Sequence, residues 1–175
     1  MKKRIVGFVI LLLLSCFSIT CQATTYSNLD YHFSFTYPVN YLEVYNPRVA
    51  FQAQDGNKDF HIIINDTAVS QLYNANERVV LQKLLNKFYD DAARNAYAPI
   101  EFKIFNHSFK WTNSGEHQIS IIDYGMFMPS GEARYCMLGT VISKGVIYSI
   151  YYLAPNPTTE EIAEAEYCLR SFFDI

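Results

Sequence analysis

The residues best suited to chemistry in this chain of 175 residues are Asp123, the histidines and the cysteines. Asp123 interrupts the apolar run from Ile119 to Met128, so a strand built from that run carries its carboxylate partly into the interior. A buried carboxylate has to be paired or protonated. Counting along the following strand puts Arg134 on the same face, which makes a structural ion pair the first reading and a site acid the second. His107 and His117 flank one turn, and two imidazoles brought together there would be the start of a metal site or an acid–base pair. No acid or cysteine stands at ligand spacing from them, so they are expected, like His32 and His61, to be surface histidines on strand faces. Familiar catalytic signatures do not occur: there is no Gly-x-Ser-x-Gly, His-Glu-x-x-His, phosphate-binding glycine loop or Cys-x-x-Cys. No catalytic, cofactor-binding or metal-binding residue is therefore assigned, and no cofactor is expected. A hydrolase using Asp123, or the pair His107 and His117, remains the enzymatic alternative and requires the fold to gather them.

The N-terminus bears on where such chemistry would take place. Lys2, Lys3 and Arg4 precede an uninterrupted apolar stretch, Ile5 to Leu14, and Cys21-Gln22-Ala23 puts small residues at both cleavage positions. This is the pattern of a secretory signal peptide, residues 1–23, ahead of a single domain, residues 24–175. One alternative is lipidation at Cys16, behind Leu13-Leu14-Ser15. The other is retention of the uncharged stretch from Ile5 to Cys21 as an anchor, at the lower limit of spanning length. All three place the domain outside the cytoplasm, in the periplasm or cell envelope. Cleavage leaves 11 basic against 17 acidic side chains, a net charge of −6. No basic stripe survives, which argues against nucleic acid as a partner and limits membrane contact to a lipid anchor or an uncleaved N-terminus.

The elements that must hold these residues are readable from periodicity. Tyr31, Phe33, Phe35 and Tyr37 alternate with His32, Ser34 and Thr36, a half-buried strand ended by Pro38. Asp55-Gly56-Asn57 links Arg48–Gln54 to Lys58–Asn65 as a hairpin. Between Glu77 and Asn95, Leu81, Leu84, Leu85, Phe88 and Ala92 form one stripe behind an Asn76 cap, a helix packed on one side. Ile100–Trp111, His117–Met128, Ala133–Ile142 and Val146–Leu153 then read as an antiparallel meander, the last two strands apolar on both faces. Thr158-x-x-Glu161 is a capping box, and Ile162, Ala165, Leu169, Phe172 and Phe173 converge on one face of the helix it starts. Two one-sided helices around a doubly covered sheet predict an α+β fold: a three-layer α/β/α sandwich with a central, mainly antiparallel sheet of about six to seven strands.

Two cysteines remain after cleavage, Cys136 and Cys168, and an even number in an exported chain suggests one disulfide. A four-residue turn at Pro129–Glu132 would put Cys136 opposite Gly125, with open space beside it, and opposite about Leu153 on the other side. The C-terminal helix is therefore expected on the Cys136 face, stapled by a Cys136–Cys168 bridge of roughly 3–4 kcal/mol. The helix beginning near Glu77 would cover the other face, over Tyr148, Ile150 and Tyr152. Two buried thiols are the alternative.

The opening Tyr31-x-Phe33-x-Phe35-x-Tyr37-Pro38-x-x-Tyr41 and the close, a Tyr-rich last strand followed by a helix running into Ser171-Phe172, resemble the PsbP-like superfamily. That superfamily includes the extrinsic photosystem II protein and the Mog-type and DcrB-type domains. The resemblance covers the two ends of the domain; residues 67–114 carry no matching motif. It implies the same α/β/α sandwich and a binding or accessory role exercised through protein contacts, without catalysis. The expected partner is an envelope or secreted protein, and an inhibitor or immunity protein is a variant of that role.

Overall fold

The computed structural model describes residues 22–65 and 76–175. The stretch read as a signal peptide, with Cys16 and Cys21, lies outside the described residues except for Gln22 and Ala23. The first strands are β1 (Ala23–Asn28), β2 (Phe33–Pro38), β3 (Leu42–Glu43), β4 (Phe51–Asp55) and β5 (Lys58–Asn65). Helix α1 (Glu77–Ala93) precedes the meander β6 (Glu101–Trp111), β7 (Gln118–Phe127), β8 (Ala133–Ser143) and β9 (Val146–Ala154). Helix α2 (Thr159–Leu169) and the short β10 (Phe173–Asp174) close the chain. The main sheet has seven strands in the order β3-β4-β5-β9-β8-β7-β6, with each adjacent pair antiparallel. A second sheet, β1-β2-β10, was not expected from the sequence. The result is the predicted sandwich, with one outer layer made of α2 and the small sheet together.

Local chemistry accounts for the element ends. Asp55 pairs with Lys58, so Gly56-Asn57 is a two-residue turn, and Gly56 takes a φ of +58° that favours glycine. The Asn76 side chain accepts from the Val79 amide, and Thr158 and Glu161 make the reciprocal capping box at α2. The apolar stripe of α2 does not continue helically to Phe173. The helix stops at Leu169, Phe172 is buried, and the exposed Phe173 belongs to β10, paired with β2. Tyr31 likewise precedes β2 and is exposed, because His32 turns the chain through a φ of +53°.

The helices take the faces opposite to those expected. α1 lies on the face carrying Ile122, Tyr124, Cys136, Leu138 and Ile147, meeting them with Leu81 and Leu85. α2 lies on the Met137, Val141, Tyr148, Ile150 and Tyr152 face, where Phe33, Phe35 and Phe172 complete the core. The reason is visible at two glycines. A Cβ on Gly139 would stand 2.9 Å from Ile119 Cδ1 and 3.0 Å from Leu169 Cδ2, so Gly139 admits α2. The space beside Gly125 is already filled by the Phe105 ring, 2.9 Å from where its Cβ would be. Gly125 pairs with Tyr135 rather than Cys136, and a slip of one residue moves every side chain to the other face.

The expected Cys136–Cys168 disulfide is therefore corrected. Cys136 sits in the sheet under α1, whereas Cys168 is on the inward side of α2, across the sheet, and the two form no disulfide. Burial pushes the Cys136 thiol up to about 12, which makes it an inert core thiol at neutral pH.

Candidate functional site

One row of side chains crosses the α1 face of the sheet: Gln52, His61, Tyr151, Leu138, Ile122 and His107 are successive cross-strand partners. α1 packs on β6, β7 and β8, and its residues Leu81 and Leu85 account for the apolar middle of that row. β3, β4 and β5 extend beyond it. Among the described residues nothing covers their face, and Leu42 there is 74% exposed.

The uncovered half is not a random polar surface. Gln52 and Gln54 alternate inward and outward with the buried Phe51 and Ala53, and across the hairpin Asp59 and His61 alternate with Phe60 and Ile62. The period of two therefore puts all four polar side chains on one face. The His61 Nδ1–H donates to Asp59 Oδ2 at 2.5 Å. Gln52 Nε2 donates to Asp59 Oδ1 at 2.6 Å, and Gln54 Nε2 to the same oxygen at 3.3 Å. Asn46 Nδ2 donates to Gln52 Oε1 at 2.9 Å. The imidazole lies flat on Tyr151, with ring centroids 4.7 Å apart and planes 16° apart. Burial disfavours the Asp59 carboxylate, but the bonds from His61 and Gln52, the His61 charge and Gln54 outweigh it and hold its pKa below the usual range. Around this network stand Leu42, Val44 and Ile63, and beside them Tyr45, which is 91% exposed.

An imidazole oriented by a carboxylate is also two-thirds of a nucleophilic triad. Among the described residues no serine, threonine or cysteine hydrogen-bonds His61, so the network presents oriented polar groups without an activated nucleophile. The sequence carried the signal for this site in Gln52-x-Gln54 and Asp59-x-His61 across one hairpin. Within either strand alone that alternation is indistinguishable from an ordinary solvated face.

The residues singled out for chemistry are dispersed. His107 Nδ1 meets the Tyr89 hydroxyl at 3.0 Å on the exposed side of α1. His117 lies between Glu77 Oε1 at 3.2 Å and Asp174 Oδ2 at 3.3 Å, tying the start of α1 to the C-terminal strand. His107 pairs with Ile122, five residues from His117, so the two are roughly 17 Å apart along the strands. Asp123 faces α2, the opposite side from His107. Its Oδ1 has no hydrogen-bond partner among the described residues. Burial raises its pKa, outweighing the Tyr135 hydroxyl beside it, while Glu166 adds to the rise and Lys110 opposes it. The expected Asp123–Arg134 pair does not form: Arg134 pairs with Met126 across the strands and its Nε binds Glu132 Oε1 at 2.7 Å. The same one-residue register difference that moved Cys136 separates them. Among the described residues no group of three His, Cys, Asp or Glu side chains, His117 with Glu77 and Asp174 included, is arranged to hold a metal ion.

No family model matches the sequence, and no curated protein matches it. Solved structures do match the fold. The solution structure of cyanobacterial PsbP from Synechocystis superposes with a TM-score of 0.60 at 11% identity, over 89% of this chain and 94% of that one. A crystal structure from Bacteroides thetaiotaomicron superposes with a TM-score of 0.61 at 13% identity, over 88% of this chain. This chain spans about half of that larger one, 49% of its length. The strand order, the two helices on opposite faces and these superpositions together give this chain the PsbP-like fold.

Proposed function

We propose that this chain is an exported accessory domain that binds another protein of the cell envelope, with the uncovered half of its main sheet as the contact face. One observation carries the reading: a prearranged polar network, Asn46–Gln52–Asp59–His61, surrounded by the exposed Leu42, Val44 and Tyr45. Groups already fixed by mutual hydrogen bonds lose little freedom on binding, and apolar residues around them supply area to bury. The PsbP-like fold and the N-terminal pattern read as a signal peptide support the same role. The dispersal of Asp123, His107 and His117 leaves the hydrolase alternative without an assembled site.

The reading is tested by placing a photo-crosslinking residue at Tyr45 and, as a control, at Lys83 on the outer side of α1, in cells that express the protein. A discrete adduct from position 45 that disappears with His61→Ala is expected. Equal labelling from both positions, or none from either, would sink the proposal. The mass of the mature N-terminus together with cell fractionation tests export: a chain beginning at Thr24 in the envelope fraction is expected, and an unprocessed chain in the cytoplasmic fraction would count against it.

A further inference from the structure

Between α1 and the sheet lies a groove of about 390 Å³, which adjoins the proposed protein-contact face at Tyr151 but is lined by other residues. Its walls are apolar, with Leu84 and Phe88 from α1 and Ile122, Leu138 and Tyr151 from the sheet. Its floor is not. Ser120 pairs with Thr140, and Thr140 with Ser149, so three hydroxyl side chains stand in line across β7, β8 and β9. All three line the groove. Ser120 is 2% exposed and Thr140 8% exposed, yet among the described residues neither hydroxyl makes a hydrogen bond. Neither is sealed off, so both open onto the groove.

Two hydroxyls set beside apolar walls, and left without partners among the described residues, are able to bind a ligand that enters the groove. Water alone fits poorly. Waters at the polar rim of Asn65, Lys87 and Asp91 are well partnered, but those against Leu84, Ile122 and Leu138 have few polar partners and are the ones a ligand gains by displacing. The volume is at the small end of the range of small-molecule sites, roughly 300–1,000 Å³. Charge narrows the class further. The charged residues lining the groove are Lys87 and Asp91, and they neutralise each other across 2.5 Å. The Tyr97 hydroxyl adds a bond of 3.5 Å to the same Asp91 oxygen. An ionic ligand would be desolvated here with no free counter-charge, at a high cost.

We propose that this groove binds a small, uncharged, mostly apolar molecule that presents one hydroxyl or carbonyl group to Ser120 and Thr140. The apolar body replaces water along Leu84, Leu138 and Tyr151, and the polar group completes the hydrogen bonds that the strands leave open.

Titration of the purified protein with 2-naphthol, 2-methylnaphthalene and 2-naphthoate, followed by ligand fluorescence and amide chemical shifts, tests this. Saturable binding of 2-naphthol is expected, with shifts at Ser120, Thr140 and Leu84. 2-Methylnaphthalene and 2-naphthoate should each bind at least about tenfold more weakly, the first lacking the polar group and the second carrying a charge. Thr140→Val should weaken 2-naphthol about tenfold and leave 2-methylnaphthalene unchanged. Leu84→Trp, which fills the groove from the partly exposed side of α1, should abolish binding of both while thermal unfolding confirms the fold. Absence of saturable 2-naphthol binding, equal affinity for 2-naphthoate, or an unchanged 2-naphthol affinity in Thr140→Val would overturn the proposal.

Discussion

The two halves of the main sheet, β6–β9 and β3–β5, follow different rules on the α1 face. Under α1 the cross-strand row reads Tyr151, Leu138, Ile122, and its neighbours Tyr124 and Cys136 are buried with it. Two strands further on, the row reads His61 and Gln52, and Leu42 beyond them stands open. On the opposite face no such change occurs. Phe51, Ala53, Phe60 and Ile62 of β4 and β5 are as deeply buried as Val141 and Ile150, because the small sheet extends the cover where α2 ends. The sheet is thus a full sandwich on one side and a half-covered one on the other. A face that loses its cover can keep order in one of two ways, apolar contact or mutual hydrogen bonding, and this molecule uses each on its own side of the boundary.

Breaking the covered half should cost most. Leu85→Ala removes a buried contact between α1 and the Tyr124–Leu138 cluster, and a loss of about 2–5 kcal/mol in denaturant unfolding is expected. Ile63→Ala, on the uncovered face of β5, should change stability by less than about 0.5 kcal/mol. Similar losses from the two would mean that the open half is packed after all. Gly139→Val tests the other face. Its Cβ meets Leu169 and Ile119 at about van der Waals limits or closer, and about 1–3 kcal/mol of overpacking strain should appear as a lowered denaturation midpoint.

The polar half should respond to charge and pH instead. The folded-state pKa of Asp59 is lowered, so its contribution is fully present above the ordinary carboxylate range near pH 4 and is lost as pH falls through the lowered value. Asp59→Asn is expected to destabilise by about 1–3 kcal/mol at neutral pH, with the difference shrinking in acid. Asp123 has the opposite sign. Its folded-state pKa is raised, so stability is lost as pH rises from near 4 through the raised value. Asp123→Asn should therefore be neutral or mildly stabilising at pH 7 and without effect in acid, the smallest change of the set. Stability curves of the two variants against pH that ran in the same direction would contradict these electrostatic assignments.

Much of the fold was legible before any coordinates. The Asn76 and Thr158 caps, the Gly56 turn and the four meander strands sit where local chemistry and periodicity put them, because each depends on neighbours within a few residues. The ends of the chain read less well. Phe172 and Phe173 continue a helical stripe in sequence, but β2 offers Phe173 and Asp174 a partner, and strand pairing prevails over the extra turn. For the candidate site, Asp59 and His61 were present as an alternating pair, yet their significance depends on Gln52 across the hairpin and Tyr151 on β9, contacts between distant segments.

The sequence by itself determined the two helices, the β4–β5 hairpin, the antiparallel succession of the meander and the need for cover on both faces of β8 and β9. Which helix supplies which cover was decided only in three dimensions. The period of a strand is two, so a shift of one residue between β7 and β8 exchanges the faces of Cys136, Asp123 and Arg134 without altering any local preference. Gly139 against Leu169, and Phe105 filling the space at Gly125, select the outcome. Those are contacts between segments far apart in the chain, and they place α2 over Met137 and Val141 and α1 over Cys136, leaving the edge from β3 to β5 open on the α1 side.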